Sequence, residues 1–263
     1  MDASEAVRRP TVHGTYDYWL GGTMHMRADR ELGRAIEEEF PFVPVHVRAA
    51  KEFHLRTARW AAERGIDRFV RAGAVSWDGS GRNVHETARS VIPSARTVYV
   101  TRDAEAHGWA RVLLAGGPGT AAVHATVERP AEVLGAPPVA AMLAEGRPVC
   151  LIIGMMLHFT EGGDAAGRVA AYAAALPPGS VVVVSLSLLD DSPRGRRLRA
   201  IFTPAPVHRH TAADVTGWLE GAGLEIVPPG VCDVRLLPGC GWAAEKLNPR
   251  APSMIAGALG LVP

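Results

Sequence analysis

Short apolar runs alternate with helical patterns across the middle of the chain, roughly residues 65–190. Five runs have the length of β-strands: Arg68–Ala74, Thr97–Val100, Ala121–Val127, Val149–Met155 and Val181–Leu188. Stretches as continuously apolar as VCLIIG and VVVVS are typical of strands buried on both faces. The alternation therefore predicts a parallel sheet whose strands are joined by right-handed helical crossovers. The predicted helices of this zone cover Asn83–Val91, Ala104–Ala115 and Ala165–Ala175.

The two ends of the chain have different patterns. Residues 1–64 are predicted to be helical, with helices over Ala28–Glu39 and Val47–Arg64 that Pro41 and Pro44 separate. Near the other end, a helix over Ala212–Glu220 and strands over Leu224–Val227 and around Cys240–Ala244 suit an antiparallel sheet edge. With no internal repeat and no low-complexity linker, we expect a single domain, in which a helical cap (1–64) covers an α/β core (65–263).

Composition excludes several classes of partner. Lys and Arg number 28 against 27 Asp and Glu, whereas a protein that binds nucleic acid needs a basic excess or stripe. The longest apolar run, Val149–Phe159, is about half of the roughly 20 residues that a membrane-spanning helix requires. We therefore expect neither a nucleic-acid partner nor a membrane span, and a homodimer stays open.

Cysteine usage and the start of the chain bear on compartment and metals. Cys150, Cys232 and Cys240 lack metal-ligand spacing, so no metal is expected. No apolar stretch follows Met1, which argues against a signal peptide and favours the reducing cytoplasm.

An ordered set of short motifs carries a family resemblance. The chain contains TYDYWLGG (Thr15–Gly22), ADR (Ala28–Arg30), NVHE (Asn83–Glu86), VYV, LHF (Leu157–Phe159), LPPGSVVVVS and GLEIVPPGV in this order. Together they resemble a family of bacterial S-adenosylmethionine-dependent methyltransferase-like proteins with an N-terminal YDYxLGG block. The resemblance spans about residues 10–245. It implies a Rossmann-like, seven-stranded, mostly parallel sheet with helices on both faces, whose ligand crevice lies at the carboxyl ends of the strands.

The same resemblance implies a cofactor site in which this chain lacks several expected residues. Family members usually carry Asp-x-Gly-x-Gly at the first strand–helix turn, and an Asp after each of the next two strands. Here Arg71 replaces the first acid, Val75 replaces the second glycine, and Thr101 and Thr126 stand where the other two acids are expected. Each lost charge-assisted hydrogen bond to a hydroxyl would weaken binding by about 1.5–3 kcal/mol. The degraded cofactor site would then comprise Gly73, Asn83, Glu86, Thr101, Asp103 and Thr126.

Residues expected at the crevice supply the candidate chemistry. His25 is the candidate general acid or base, because its ordinary pKa of about 6.5 suits proton transfer. The other catalytic candidates are Tyr16, Asp17 and His158, although Asp17 could equally fix the cap, His158 could position substrate, and His25 could simply face solvent. The side chains expected to bind a hydrophobic substrate are Tyr18, Met24, Met26, Met155, Met156 and Phe159. For Met155 and Met156, core packing is an equal alternative, and Glu86 is expected mainly to complement a helix dipole.

Three hypotheses about function follow. The first is an enzyme of small-molecule, secondary-metabolite biosynthesis that needs no cofactor and cyclises, rearranges or adds to an apolar substrate. The second is a working S-adenosylmethionine-dependent methyltransferase of small molecules. The third is a catalytically silent binding partner.

Overall fold

Eight strands form one sheet in the described part of the chain. The computed structural model describes residues 9–73, 82–114, 117, 119–236 and 255–263. The strands are β1 Arg68–Gly73, β2 Arg96–Thr101, β3 Thr120–His124, β4 Cys150–Gly154, β5 Val181–Ser187, β6 Glu225–Ile226, β7 Cys232–Asp233 and β8 Ile255–Leu261. The helices are α1 Val12–Leu20, α2 Arg27–Glu39, α3 Val43–Ala62, α4 Val84–Arg89, α5 Ala104–Leu113, α6 Pro130–Gly135, α7 Pro137–Ala144, α8 Gly162–Ala175, α9 Pro193–Ile201 and α10 Ala212–Gly221. A short 3₁₀ helix, Leu157–Phe159, follows β4.

The strand order is β3-β2-β1-β4-β5-β8-β6, with the two-residue β7 also paired to β8. Strands β1 to β5 are parallel, whereas β8 runs antiparallel to β5 and β6. Successive strands β1 to β3 extend the sheet to one side and β4 and β5 extend it to the other, so the order switches between β1 and β4. Gly73 pairs with Gly154 where these two strands end. The carboxyl ends of parallel strands at such a switch point form the usual ligand crevice of an α/β sheet. The predicted Rossmann-like, mostly parallel fold is confirmed, with eight strands in the described residues rather than the seven expected.

The central strands form the core of the molecule. All residues of β1 and β4 are buried, as the continuous apolar runs predicted. Helix α3 packs on the sheet, and its buried His54 bonds to Ser185 of β5. This direct contact joins α3 to the core; the boundary between residues 64 and 65 stays a prediction.

Several local predictions differ from the structure for identifiable reasons. Pro44 lies in the first turn of α3 rather than before it. Proline is tolerated there because a backbone N–H in the first turn has no acceptor within the helix. Helix α1 lies in the zone that was predicted to be helical, but its bounds were not predicted, although Thr11 caps it and Gly21 ends it in the left-handed conformation. The long antiparallel strand is β8, an apolar run that was not predicted. The strand expected around Cys240–Ala244 lies outside the described residues.

Candidate functional site

A cavity of about 260 Å³ lies where β1, β2 and β3 end, under the beginning of α1. We call it the strand-end cavity. Its walls are Pro10, Thr11, Val12, His13, Gly73, Val100, Thr101, Arg102, Asp103, Ala125, Thr126, Val127, Met156 and Pro204. The expected cofactor residues Gly73, Thr101, Asp103 and Thr126 therefore share one cavity.

Gly73 lets the chain pass close to β4 at the bottom of this cavity. Its φ of 124° lies in the left-handed region, and a Cβ there would lie 2.2 Å from the carbonyl oxygen of Gly154. This position therefore requires glycine. The predicted replacement Val75 and the loop up to residue 81 lie outside the described residues.

Asp103 stands two residues beyond the end of β2. One carboxylate oxygen, Oδ1, accepts hydrogen bonds from the backbone N–H groups of Glu105 (3.0 Å) and Ala106 (2.9 Å), and so caps α5. The backbone N–H of Asp103 donates to Thr101 Oγ1 at 3.2 Å. Asp103 Oδ2 makes no hydrogen bond within the described part of the chain. A carboxylate oxygen able to accept a further hydrogen bond thus borders the cavity, although Thr101 replaces the expected acid.

The far wall of the strand-end cavity is tied together by side chains. Thr126 Oγ1 donates to Glu128 at 3.3 Å, and Glu128 pairs with Arg102 at 3.2 Å. Arg102 also lies over the ring of Phe159, at 5.9 Å from its centre. Thr126 therefore orients the ion pair beside the cavity.

His13 is a wall residue that the sequence analysis missed. Its side chain is only 7% exposed, and neither ring nitrogen has a hydrogen-bond partner in the described residues. Burial lowers the pKa of the imidazole, while the nearby Asp103 carboxylate opposes that shift. The neutral ring offers one donor and one acceptor to a ligand. Its position just before TYDYWLGG was the only sequence signal.

A second, mostly apolar cavity of about 40 Å³ lies between the N-terminal helices and the ends of β4 and β5. We call it the cap cavity. It is lined by Tyr16, Trp19, Val43, His46, Val47, Met155, His158, Phe159, Ser187, Leu189, Leu198, Phe202, Val207 and Ile255. In this state it has room for only a few water molecules. The rings of Phe159 and Phe202 stack with centres 5.5 Å apart.

His158 and Tyr16 hold each other at one side of the cap cavity. The backbone N–H of Ser187 donates to His158 Nδ1 at 3.4 Å, so the ring proton is on Nε2, which donates to the Tyr16 hydroxyl at 3.3 Å. Burial lowers the pKa of His158 to about 3 and raises that of Tyr16. His158 is thus neutral and positions Tyr16, whose hydroxyl hydrogen can turn to a ligand.

His46 is the second missed histidine. It lies on α3, is 3% exposed, and neither ring nitrogen has a partner in the described chain. Burial lowers its pKa, with a smaller contribution from the charge of Arg235. A neutral imidazole without a partner therefore faces a mostly apolar cavity.

Arg71, which replaces the expected acid, belongs to a buried hydrogen-bond network with His54 and Ser185. It is buried, donates to the carbonyl of Ala72 (2.5 Å), and approaches His54 Nδ1 at 3.4 Å. Because a guanidinium only donates, His54 carries its proton on Nε2 and donates to Ser185 Oγ at 2.7 Å. Ser185 Oγ accepts from the backbone N–H of Met155 at 3.2 Å. Burial lowers the pKa of Arg71 to about 10, so it is still charged at neutral pH.

Asn83 and Glu86 lie beside this network rather than in the strand-end cavity. Asn83 lines a separate cavity of about 50 Å³, together with Arg71 and Tyr16. The carboxylate of Glu86 accepts from the backbone N–H of Asn83 at 2.7 Å and caps α4. Neither residue is among the described residues that line the strand-end cavity, and capping occupies Glu86; their role in cofactor binding stays a prediction.

The YDYxLGG block is a structural device in this fold. Buried Asp17 accepts from the backbone N–H groups of Met24 (2.8 Å) and His25 (3.0 Å) and from His25 Nδ1 (3.0 Å). A Cβ on Gly22 would lie 2.0 Å from the same carboxylate. Asp29 of the ADR motif joins the beginnings of α1 and α2 by accepting from the N–H groups of Thr11 and Met26.

This packing separates residues that were expected to share a reaction chamber. Tyr16, Met155, His158 and Phe159 do line the cap cavity, and Met156 lines the strand-end cavity. Among the described residues, however, those lining the three cavities do not include Tyr18, Met24, His25 or Met26. The ring of His25 instead packs edge-on against Tyr18, with centres 5.4 Å apart, and Met26 is 43% exposed. The geometry therefore favours loop-stabilising roles for Asp17 and His25 over catalysis.

Neither a metal-binding cluster nor a membrane-spanning helix is present in the described part of the chain. No group of three or more His, Cys, Asp or Glu residues there could hold a metal ion. None of its helices has both the length and the apolar character that crossing a membrane requires.

Solved structures resemble this chain over almost its whole length. A candidate methyltransferase from Thermobifida fusca YX is 30% identical with a TM-score of 0.86, covering 97% of this chain and 95% of that one. A DUF574 family protein from Streptomyces avermitilis MA-4680 is 32% identical with a TM-score of 0.87, covering 97% and 98%.

A more distant structure shares the fold alone. The magnesium protoporphyrin IX methyltransferase of Synechocystis PCC 6803, solved with bound SAH, is 12% identical with a TM-score of 0.54, covering 95% of this chain and 93% of that one.

No curated protein matches the sequence. A family model described as S-adenosyl methyltransferase matches residues 2–260. The chain therefore belongs to the S-adenosyl methyltransferase family.

Proposed function

We propose that the protein is an S-adenosylmethionine-dependent methyltransferase that binds the cofactor in the strand-end cavity and an apolar small molecule at the cap cavity. The cap cavity of about 40 Å³ would have to widen to admit that molecule. One observation carries the proposal: the segment Met155–Phe159 contributes to the walls of both cavities. A donor and an acceptor bound there would lie on either side of a single turn of chain. Family membership favours this second hypothesis over catalysis without a cofactor.

The residues of the strand-end cavity fit such a cofactor. The described walls enclose about 260 Å³, close to the lower end of the roughly 300–1,000 Å³ typical of small-molecule sites. Gly73 leaves the bottom of the cavity free of a side chain, and Asp103 offers an acceptor for a hydroxyl group. We therefore do not expect Thr101 and Thr126 to abolish binding.

S-adenosylmethionine, when bound, supplies an electrophilic methyl group on a sulfonium. The chain's own residues would orient the acceptor and take up its proton. The Tyr16 hydroxyl, held by His158, can donate to a polar atom of the acceptor. His46 is neutral and without a partner, so its ring nitrogen can accept the proton that the acceptor group loses on methylation. The remaining walls of the cap cavity would exclude water and hold an apolar molecule. Such an acceptor agrees with the expectation that the enzyme acts in small-molecule biosynthesis.

The proposal is tested by calorimetric titration of the purified protein with S-adenosylmethionine and S-adenosylhomocysteine. We expect dissociation constants of about 1–100 μM, as for a typical small-molecule site with several hydrogen bonds. Thr126→Trp should abolish binding by filling the cavity, whereas Ala131→Trp on the exposed face of α6 should not.

Transfer of a labelled methyl group to a panel of apolar phenols and alcohols then tests the reaction. His46→Phe should lower turnover about 10²–10⁴-fold if the ring acts as general base, with little change in cofactor affinity. Absence of cofactor binding at 1 mM would overturn the proposal and restore the cofactor-free enzyme or the silent binding partner.

A further inference from the structure

Helix α5 has one apolar face towards the sheet and a second apolar face towards solvent. Ala106 and Ala110 are buried, on the side where the helix packs on β2 and β3. Three of the five large hydrophobic side chains that are exposed in the described part of the chain lie in its last five residues: Trp109 at 48%, Val112 at 67% and Leu113 at 54%. Their spacing of three and four residues places them side by side. Contiguous apolar exposure of this kind indicates a surface that another molecule covers.

The neighbouring strand β3 is an edge strand. Within the described residues it pairs with β2 alone, in parallel register from Thr120 to His124. Its residues are half-buried apart from the exposed His124. The backbone groups on the outer side of an edge strand are a template for a strand of another chain. The strand β3 and the helix α5 therefore present two binding features at the same end of the sheet.

A second copy of this chain fits both features at once. Two copies related by a two-fold axis perpendicular to the sheet would pair their β3 strands antiparallel, about 4.8 Å apart. Because α5 contacts both β2 and β3, its axis lies above the gap between them. The two α5 helices would then run antiparallel with axes about 10 Å apart, at the upper end of the distance of about 8–10 Å between packed helices. The strands and the helices can thus be in contact simultaneously.

The sizes of the exposed side chains on α5 suit an antiparallel pair. The exposed residues of its first half include Ala104 and Gly108, whereas the bulky apolar ones lie in its second half. A two-fold axis between Gly108 and Trp109 would bring each indole against the glycine of the other copy. A Cβ on Gly108 would meet no atom within 4 Å, so there is open space for the ring. The bulky half of each helix would therefore cover the small half of its partner.

The charges of α5 suit the same arrangement. Glu105 lies in the first turn of the helix and Arg111 in the last turn, and both side chains are exposed. About the same axis, Glu105 of each copy would meet Arg111 of the other. A two-fold interface repeats every contact, so two identical ion pairs would flank the apolar centre.

We propose that the protein forms a homodimer through α5 and β3, in which the sheets of the two copies join into one. The covered surface is separate from the proposed binding sites, because Trp109, Val112 and Leu113 line none of the described cavities. The dimer and the proposed function can therefore be tested independently.

Sedimentation equilibrium of the full chain over a range of concentrations tests the proposal. We expect a reversible dimer with a dissociation constant of about 1–100 μM, as for an interface at the small end of the usual range. Leu113→Glu should raise that constant at least about 30-fold, because it places a charge in an apolar contact. Leu236→Glu is the matched control, since Leu236 is 55% exposed and follows β7, near the opposite end of the sheet. It should leave the dissociation constant unchanged.

Exchange of the charges tests the antiparallel pairing. Glu105→Arg and Arg111→Glu would each create two like-charge contacts and should raise the dissociation constant about 3- to 30-fold. An equimolar mixture of the two variants restores opposite charges in every contact, so it should associate more tightly than either variant alone. The chain that carries both substitutions should dimerise like wild type.

Three results would overturn the proposal. The first is a wild-type protein with the mass of one chain at every concentration, whether the face of α5 is then covered by another segment of the chain or by a different protein. The second is a dimer that Leu113→Glu does not weaken. The third is a mixture of the two charge variants that associates no more tightly than its components. Thermal unfolding verifies that each variant is folded.

Discussion

At the scale of the residue, the buried histidines fall into two groups. His54 is completely enclosed and bonded on both sides, to Ser185 and towards Arg71. His46 is equally buried but has no partner in the described chain. The first kind stabilises the fold, whereas the second is retained at the expense of stability and so indicates a function.

This contrast predicts opposite effects of the same substitution. His46→Leu should raise the free energy of unfolding by about 1 kcal/mol, because it removes an unsatisfied buried polar group. His54→Leu should lower it by about 1–3 kcal/mol, because it removes the buried hydrogen bonds that His54 makes with Ser185 and Arg71. Urea denaturation of the ligand-free protein measures both. A loss of stability in the His46 variant equal to that of the His54 variant would contradict the assignment.

Sequence reasoning identified many crevice residues but not their partners. Met155 and Phe159 could be placed because they follow a strand of the predicted sheet, and Tyr16 because it belongs to the YDYxLGG block of the resemblance. His13 and His46 could not, since nothing in a helix periodicity distinguishes a histidine facing a cavity from one bonded in a core. Arg71 was taken only as the loss of an acid. It contacts His54 of α3, which in turn bonds to Ser185 of β5, and such long-range contacts leave no local pattern in the sequence.

At the scale of the element, the junction of β1 and β4 is the most constrained part of the site. Gly73 and Gly154 are paired in register, and Met155 follows with a φ of 56°. That left-handed conformation is uncommon for a side chain of this size. The N–H of Met155 is held by the carbonyl and the hydroxyl of Ser185, at 2.8 and 3.2 Å. These hydrogen bonds hold the segment between the two cavities in its unusual conformation.

Gly73→Ala should disrupt this junction. The new methyl group would overlap the Gly154 carbonyl and require an unfavourable φ, so we expect destabilisation of at least about 1–3 kcal/mol. Gly108→Ala in the middle of α5 is the matched control, because a Cβ there meets no atom within 4 Å. It should raise stability by about 0.5–1 kcal/mol. Guanidinium denaturation curves that shift equally for the two variants would exclude the steric explanation.

At the scale of the whole molecule, the fold keeps a set of histidines uncharged. Burial lowers the pKa of each below the ordinary 6.5, and for His158 to about 3. The residues concerned are His13, His46, His54, His85, His158 and His210. The homodimer left open by composition stays a prediction.

These shifts predict acid sensitivity. Below pH 6.5 the unfolded chain binds protons that the folded chain does not, so the free energy of unfolding should fall as pH decreases from 6.5 towards each folded pKa. Each histidine contributes at most about 1.4 kcal/mol per pH unit within its own window. Denaturant unfolding at pH 7.5, 6.5 and 5.5 should show little change over the first step and a marked loss over the second. Stability that is constant down to pH 5.5 would contradict neutral burial of these rings.

The segment Met155–Phe159 also links the energetics of the two cavities. A ligand that shifts this turn by contact on one side changes the shape of the wall on the other side, so the two occupancies are not independent. Thermodynamic reciprocity then requires that each ligand change the affinity of the other by the same factor. The left-handed conformation of Met155 costs on the order of 1–3 kcal/mol, which is within the range of ligand binding energies. The order in which the methyl donor and the methyl acceptor bind, and the rate at which the demethylated cofactor is released, would thus depend on this one turn.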